Sequence, residues 1–517
     1  MQIGRFSLSC LAVAFLGCSG KETPDASGGG GSAGSAGQAT GAAPTGGLGG
    51  SGAGVGGRGG SDPSGGTTTG GGAGDAASGG SSGSGGALGG AGGVETGGGA
   101  GTGASGAAGS GTGGSAAGSG GRAGAGGSAG KSGGVPTFMT RALAMDHVAE
   151  GADAGDIDGD GVLDLVAGPR WYKGPSFALG GTVIANPPTF TRDQYSTFFL
   201  TFVDDVNADG RPDVIAIGDA GGGNGTGTPN AHWYQNPGPT GLAQPWTKTA
   251  VYSGLVANES PAYTNLVGDA KKELVFMTSQ RAGYAAPGAS ATAAWTFTAV
   301  TGTGFPTPYV HGLGVGDIDG DGLMDLVERT GFWRQTAGAT WEQHEYDFGS
   351  GLTGTRPSNW GGAQMLVFDV DGDGDNDVVT GLFAHRYGIS WFERQGSGAS
   401  ITFAPHVILP SAAGSGNFSQ AHAFVAADVN GDGLTDVIAG KRYYAHPSSS
   451  PDPGTTDPPV LYWFELQRSG ATATFVPHLV HDDSGAGCNF VARDVTGDGK
   501  VDIFTTNKRG TFLHVQQ

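Results

Sequence analysis

The chain has 517 residues, 107 of them glycine, and a formal net charge of −20 from 46 Asp and Glu against 26 Lys and Arg. That acidity, with no basic stripe and no aromatic-basic platform, excludes a nucleic-acid-binding surface. With only three cysteines, Cys10, Cys18 and Cys488, no internal disulfide is expected, and stability must come from packing and bound cations.

Residues 1–17 carry Arg5 and then an apolar run from Leu11 to Leu16. This reads as a secretory signal, too short to remain as a membrane span. Phe15-Leu16-Gly17-Cys18 resembles a bacterial lipobox, which implies lipidation of Cys18 and an exported protein held at the outer membrane or cell surface; ordinary secretion is the alternative. Residues 18–134 are nearly all Gly, Ala, Ser and Thr, with too few large apolar side chains to offset the entropy of folding. A disordered tether is expected, spanning roughly 60 Å root-mean-square for a Gly-rich coil of about 116 residues. Residues 1–134 hold five Lys/Arg and five Asp/Glu, so the whole net charge lies in 135–517.

Within 135–517 one acidic nonapeptide recurs six times, with Asp at positions 1, 5 and 9, Asp, Asn or Thr at position 3 and Gly at position 6. The candidate ligands are Asp156, Asp158, Asp160 and Asp164; Asp205, Asn207, Asp209 and Asp213; and Asp317, Asp319, Asp321 and Asp325. The remaining copies offer Asp369, Asp371, Asp373 and Asp377; Asp428, Asn430, Asp432 and Asp436; and Asp494, Thr496, Asp498 and Asp502. In a tightly curled loop alternate side chains converge, so these oxygens can surround one hard cation, and Gly at position 6 permits the turn. One Asp-Gly-Asp-Gly would read as a solvated turn; six with matching flanks predict about six structural Ca²⁺ sites. An EF-hand loop would end in Glu at position 12 and enter a helix. Here each loop runs into pairs such as Leu165-Val166 or Val437-Ile438, which predict strands. The loops hold twenty-one ligand-position carboxylates, enough to account for the net charge.

Successive first Asp residues are 49, 112, 52, 59 and 66 positions apart, and the longest gap contains a worn copy at 267–276. Counting it gives seven units with a period near that of propeller blades. The sixth shows four strands, 421–427, 436–440, 460–466 and 474–480. Aromatic third strands recur at Trp171, Trp233, Trp333, Trp391 and Trp463 and are expected to pack between blades. The last unit lacks a fourth strand, and residues 137–143 carry its signature. The predicted fold is therefore all-β: a seven-bladed β-propeller of four-stranded antiparallel blades over 135–517, its last blade closed by the N-terminal strand 137–143.

Repeats such as Val315-Gly-Asp-Ile-Asp-Gly-Asp-Gly-Leu-Met-Asp-Leu-Val327 resemble the FG-GAP or VCBS repeats of integrin-α-like propellers over about residues 135–517. The resemblance implies the propeller and its calcium; functions in such proteins include cell adhesion, ligand binding and, in some polysaccharide lyases and a sugar dehydratase, catalysis. Thr496 replaces a carboxylate, so the last site should be weaker, and the third unit has lost its loop.

The resemblance also implies that calcium loops lie on one face and that the starts of first strands and the ends of second strands surround the channel on the other. His147, His311 and His422 fall before or at first strands; Arg170, Arg281, Arg329, Arg386, Arg442 and Lys508 follow second strands. A ring of bases in an acidic domain predicts a site for carboxylate or sulfate groups, so the expected function is a binding module for an anionic glycan or a protein partner. The same bases could instead pair with nearby carboxylates. A lyase or dehydratase using a His base and an Arg, or three His residues on a catalytic metal, is the alternative; catalytic residues are not assigned, because no nucleophile elbow, His-Glu-x-x-His or phosphate loop is present. A monomer is expected.

Overall fold

The computed structural model describes residues 134–219, 228–290, 292–303, 311–349, 361–362, 364–470 and 472–517. The expected signal peptide over 1–17, the lipidation at Cys18 and the tether up to residue 133 lie outside the described residues.

Among the described residues all regular structure is strand except one short 3-10 turn, Gly398–Ser400. Strand starts are set by the acidic loops. Asp164, Asp213, Asp325, Asp377, Asp436 and Asp502, the ninth loop residues, are each the first residue of a strand. The apolar residues that follow are buried in both alternations, as at Asp164–Ala167 and Asp436–Lys441, because these second strands are covered on both faces.

The repeat count predicts seven separate blades; the structure corrects this. Five four-stranded antiparallel sheets stand separately, and eight further strands over 313–409 form one continuous sheet. The cause is local. Leu313 and Gly314 pair in parallel with Gln364 and Met365, joining two four-stranded antiparallel units through their innermost strands. A Cβ on Gly314 would stand 2.2 Å from the Met365 carbonyl oxygen, so only glycine allows the two backbones to come this close.

Four of the separate sheets cover 152–182, 200–252, 262–299 and 421–481, each with its strands in chain order. The fifth combines both ends of the folded region: Phe138–Ala144 lies antiparallel to Gly510–Gln516, outside Asp502–Asn507 and Val491–Arg493. Innermost strands of neighbouring sheets abut, and Val491–Arg493 meets Ala152–Gly155, the first strand of the first sheet. A bond from the Ala152 N–H to the Asn489 carbonyl, 3.0 Å, closes the propeller-like arrangement.

The core lies between sheets rather than within one. Trp233 packs with Ile215, Leu274, Phe276 and Trp295 across two sheets, and Trp463 packs with Phe490 and Ile503 across the junction with the closing sheet. Third-strand tryptophans thus serve as inter-sheet packing, with the large area per residue that aromatic side chains supply.

Candidate functional site

The acidic loops share one hydrogen-bond scheme. In the first, Asp156 accepts the N–H groups of Gly159, Asp160 and Gly161 at 2.8, 3.0 and 2.9 Å. Asp164 accepts Ile157 N–H at 2.9 Å and Gly174 N–H at 2.8 Å, fixing the loop to the third strand. Asp325, Asp377, Asp436 and Asp502 make the same cross-strand bond, to Gln335, Arg394, Leu466 and Gln516. In the third unit Asn265 stands at position 1, accepting Gly268 N–H at 2.8 Å, and Glu273 at position 9 accepts Leu266 N–H at 2.7 Å. The worn copy therefore begins at 265, keeping the turn while losing most of the charge.

Three loops bring three carboxylate oxygens within 4.8 Å of one another: Asp156, Asp158 and Asp164; Asp317, Asp319 and Asp325; Asp369, Asp371 and Asp377. The other three carry Asn207, Asn430 or Thr496 at position 3. Burial, reinforced by neighbouring carboxylates, pushes Asp213, Asp325, Asp377 and Asp436 up to about 7. Oxygen-only donors, crowded like charges and the buried, unbonded Asp158 Oδ1 fit a hard divalent cation. In five loops a side-chain cation already reaches in: Lys173 to Asp158 and Asp160, Arg334 to Asp319 and Asp321, Arg211 to Asp209, Arg468 to Asp369 and Lys500 to Asp498. A metal held there would have to displace it.

A second, chemically different cluster forms at the ends of strands away from those loops. Glu150, Glu259 and His311 lie two or three residues before the first strands of their sheets, and His422 lies within Ala421–Ala427. His385 follows Asp377–Gly381, and Arg442 follows Asp436–Lys441. Glu259, His311, His385 and His422 each place a ligand atom within 4.8 Å of the others. His422 Nε2 lies 3.2 Å and His311 Nε2 3.5 Å from Glu259 Oε2. Arg442 donates to Glu259 Oε2 at 2.6 Å and, through Nε, to Glu150 Oε2 at 3.0 Å. The second row is formed by Asp452, whose oxygens lie 3.3 Å from His385 Nδ1 and 2.9 Å from His446 Nδ1.

Burial pushes His385 down to about 3, against the opposite pull of Asp452, and His422 down to about 4, against that of Glu259. Both imidazoles are neutral at physiological pH. Although burial alone would raise them, Glu150 is held low by Arg442 and Lys508, and Glu259 well below the usual carboxylate range chiefly by Arg442. Lys441 and Lys508 are pushed down by burial, Lys441 to about 8. Their ammonium groups bond only neutral oxygens: Ser419 Oγ and the Gly454 carbonyl for Lys441, the Tyr444 carbonyl for Lys508.

Of the residues the sequence singles out, His311, His422 and Arg442 converge. His147 lies to one side, with Nε2 3.7 Å from Glu150 and Nδ1 3.2 Å from the Thr191 carbonyl, so it is not the third imidazole of the group. Lys508 approaches the face of Tyr195 at 4.3 Å. Arg170 is paired with Asp146 at 2.7 and 2.6 Å. Arg329 is buried, while Arg281 and Arg386 are exposed and make no ion pair among the described residues. Glu150, Glu259, His385 and Asp452 were not singled out. Glu150 and Glu259 occupy the position of His311 relative to the first strand, so the same position holds acids in two sheets; His385 directly precedes Arg386, where the sequence draws attention to the guanidinium alone.

Residues 369–439, which hold two acidic loops, match the FG-GAP-like repeat family. Among curated proteins none matches the chain in sequence. Solved structures similar to it include the exotype rhamnogalacturonan lyase YesX, 13% identical with 75% of each chain covered and a TM-score of 0.36. A Bacillus licheniformis rhamnogalacturonan lyase is 14% identical over 74% of each chain, with a TM-score of 0.33. An auxiliary nutrient binding protein from Bacteroides thetaiotaomicron VPI-5482 is 10% identical over 61% of this chain and 68% of that one, with a TM-score of 0.34. The class defined here is a β-propeller-like protein carrying FG-GAP-like repeat sequence; likeness at these levels says nothing of activity.

Proposed function

We propose that this chain is an exported, lipid-anchored binding module, stabilised by calcium in its acidic loops, that takes an anionic glycan at the strand ends around Arg442. The observation that carries the ligand class is the pair Arg281 and Arg386, both exposed and without ion pairs among the described residues. In a domain otherwise acidic, such groups create a local positive potential that favours carboxylate or sulfate.

Binding is preferred to β-elimination because a general base works best with a pKa near the operating pH. Imidazoles at about 3 and about 4 are weak bases at neutrality. The test is a panel of acidic and neutral polysaccharides offered to the immobilised protein, scoring retention and unsaturated products. Retention of acidic chains only, weakened by R281A/R386A, is expected. Retention of none sinks the reading, and unsaturated products lost in H422A replace it with a lyase.

A further inference from the structure

We propose that Glu259, His311, His385 and His422 form a binding site for a divalent transition metal of the Zn²⁺ class, distinct from the acidic loops. This goes beyond the glycan reading and does not depend on it. Three imidazoles and one carboxylate form a donor set of borderline softness, unlike the all-oxygen loops suited to calcium. Their ligand atoms already lie within 4.8 Å of one another. Tetrahedral bonds of about 2.0 to 2.2 Å would require each to move by less than about 1 Å.

The surroundings prepare these atoms for a metal. His422 Nδ1 lies 3.0 Å from the Gln420 carbonyl, to which only an N–H can donate, so its Nε2 carries the lone pair. His385 Nδ1 faces Asp452 Oδ2 at 3.3 Å, which leaves its Nε2 likewise unprotonated. A carboxylate or carbonyl behind each imidazole is the outer shell that metal-ligating histidines use to fix tautomer and orientation. The third imidazole supplies an independent sign. His311 is 2% exposed, its Nδ1 has no hydrogen-bond partner and its Nε2 stands 3.5 Å from Glu259 Oε2; His422 Nε2, also buried, stands 3.2 Å from the same oxygen. Buried polar atoms are normally paired, and imidazole lone pairs crowded against a carboxylate oxygen are a cost that a cation removes.

Glu150 and Glu259 together offset Arg442 and Lys508, and Asp452 adds a further negative charge behind His385. Glu259 is also the most accessible member, 14% exposed at its side chain against 0 to 5% for the imidazoles of His311, His385 and His422, so it marks the route by which an ion enters.

The test uses the full chain with calcium kept in excess, so that the acidic loops stay loaded. Zn²⁺ and Co²⁺ are added separately, and retained metal is measured after gel filtration together with the visible spectrum of the cobalt form. About one equivalent of zinc and cobalt ligand-field bands of a nitrogen-rich site are expected. Both should be lost in H311Q, whose ring makes no bond that the fold needs, and in H385A. D452N should weaken zinc binding about 10- to 100-fold through His385. Folding of each variant is checked by its circular dichroism and melting curve in calcium. Absence of retained zinc and of cobalt bands in the folded wild type overturns the proposal, as does binding that is unchanged in folded H311Q. Polysaccharide retention is scored on the same samples, so loss of the metal site and failure of the glycan reading are read separately.

Discussion

Glu150 and Arg442, 292 residues apart in sequence, form a fully buried ion pair with Arg442 Nε 3.0 Å from Glu150 Oε2. They come from the first and sixth repeats and meet only because the sheets close on themselves. Removing one partner of a buried pair leaves an uncompensated charge, which costs roughly 3–5 kcal/mol. Denaturant unfolding of R442M should show a loss of that size, and adding E150Q should restore a large part of it. A single mutant as stable as wild type would show that the pair is not coupled to closure.

Calcium should act by linkage. A cation that binds only the folded loops raises stability with its concentration, so excess chelator should lower the melting temperature markedly. The three loops with Asp at position 3 should hold the ion more tightly than those with Asn207, Asn430 or Thr496. D371A should therefore remove a tight site from a calcium titration, whereas T496A should change the tight class little. A melting curve that ignores chelator contradicts the calcium assignment.

The closing sheet should be sensitive to acid. His514, in the strand Gly510–Gln516, is pushed down to about 3 by burial and by neighbouring His481, and its Nδ1 is 2.8 Å from Thr140 Oγ1 on the N-terminal strand. The unfolded chain takes up this proton near pH 6.5, whereas the folded one resists until about pH 3. Between these values the unfolded state binds more protons, so stability is present above about pH 6.5 and declines as pH falls through the window. Comparing the pH dependence of unfolding in wild type and H514Q isolates this contribution; identical slopes would remove it.

Close backbone approach at Gly314 gives another measurable effect. G314A places a methyl group against the Met365 carbonyl and should cost about 1–3 kcal/mol as the parallel pairing is forced apart. G302A, where nothing lies within 4 Å of the added Cβ, should stay within about 0.5 kcal/mol of wild type. Equal melting temperatures for the two variants would contradict the packing reason given for the eight-stranded sheet.

Much of the strand pattern was legible because local chemistry repeats. The strand expected at 421–427 is Ala421–Ala427, and the segment expected at 137–143 pairs as Phe138–Ala144 with the C-terminal strand. The fusion of two units through Gly314 was not legible, because it depends on how closely two first strands approach, and no residue pattern records that distance. Site legibility divides the same way. His311, His422 and Arg442 were found by their place relative to strands, but His147 was grouped with them although it faces Glu150 and Thr191. Glu259 and His385 could not be joined to the others from periodicity, since convergence across separate sheets is a property of closure.

The N-terminal strand and its partner bring Thr140 to His514 across 374 residues. During synthesis Phe138–Ala144 emerges early and must wait, unpaired, until residues 510–516 have been made. Long-range pairing of this kind folds slowly, and a waiting strand edge is open to aggregation or proteolysis. A chain interrupted before Gly510 cannot complete its last sheet, so the pairing acts as a check that the repeats have been made through to residue 516.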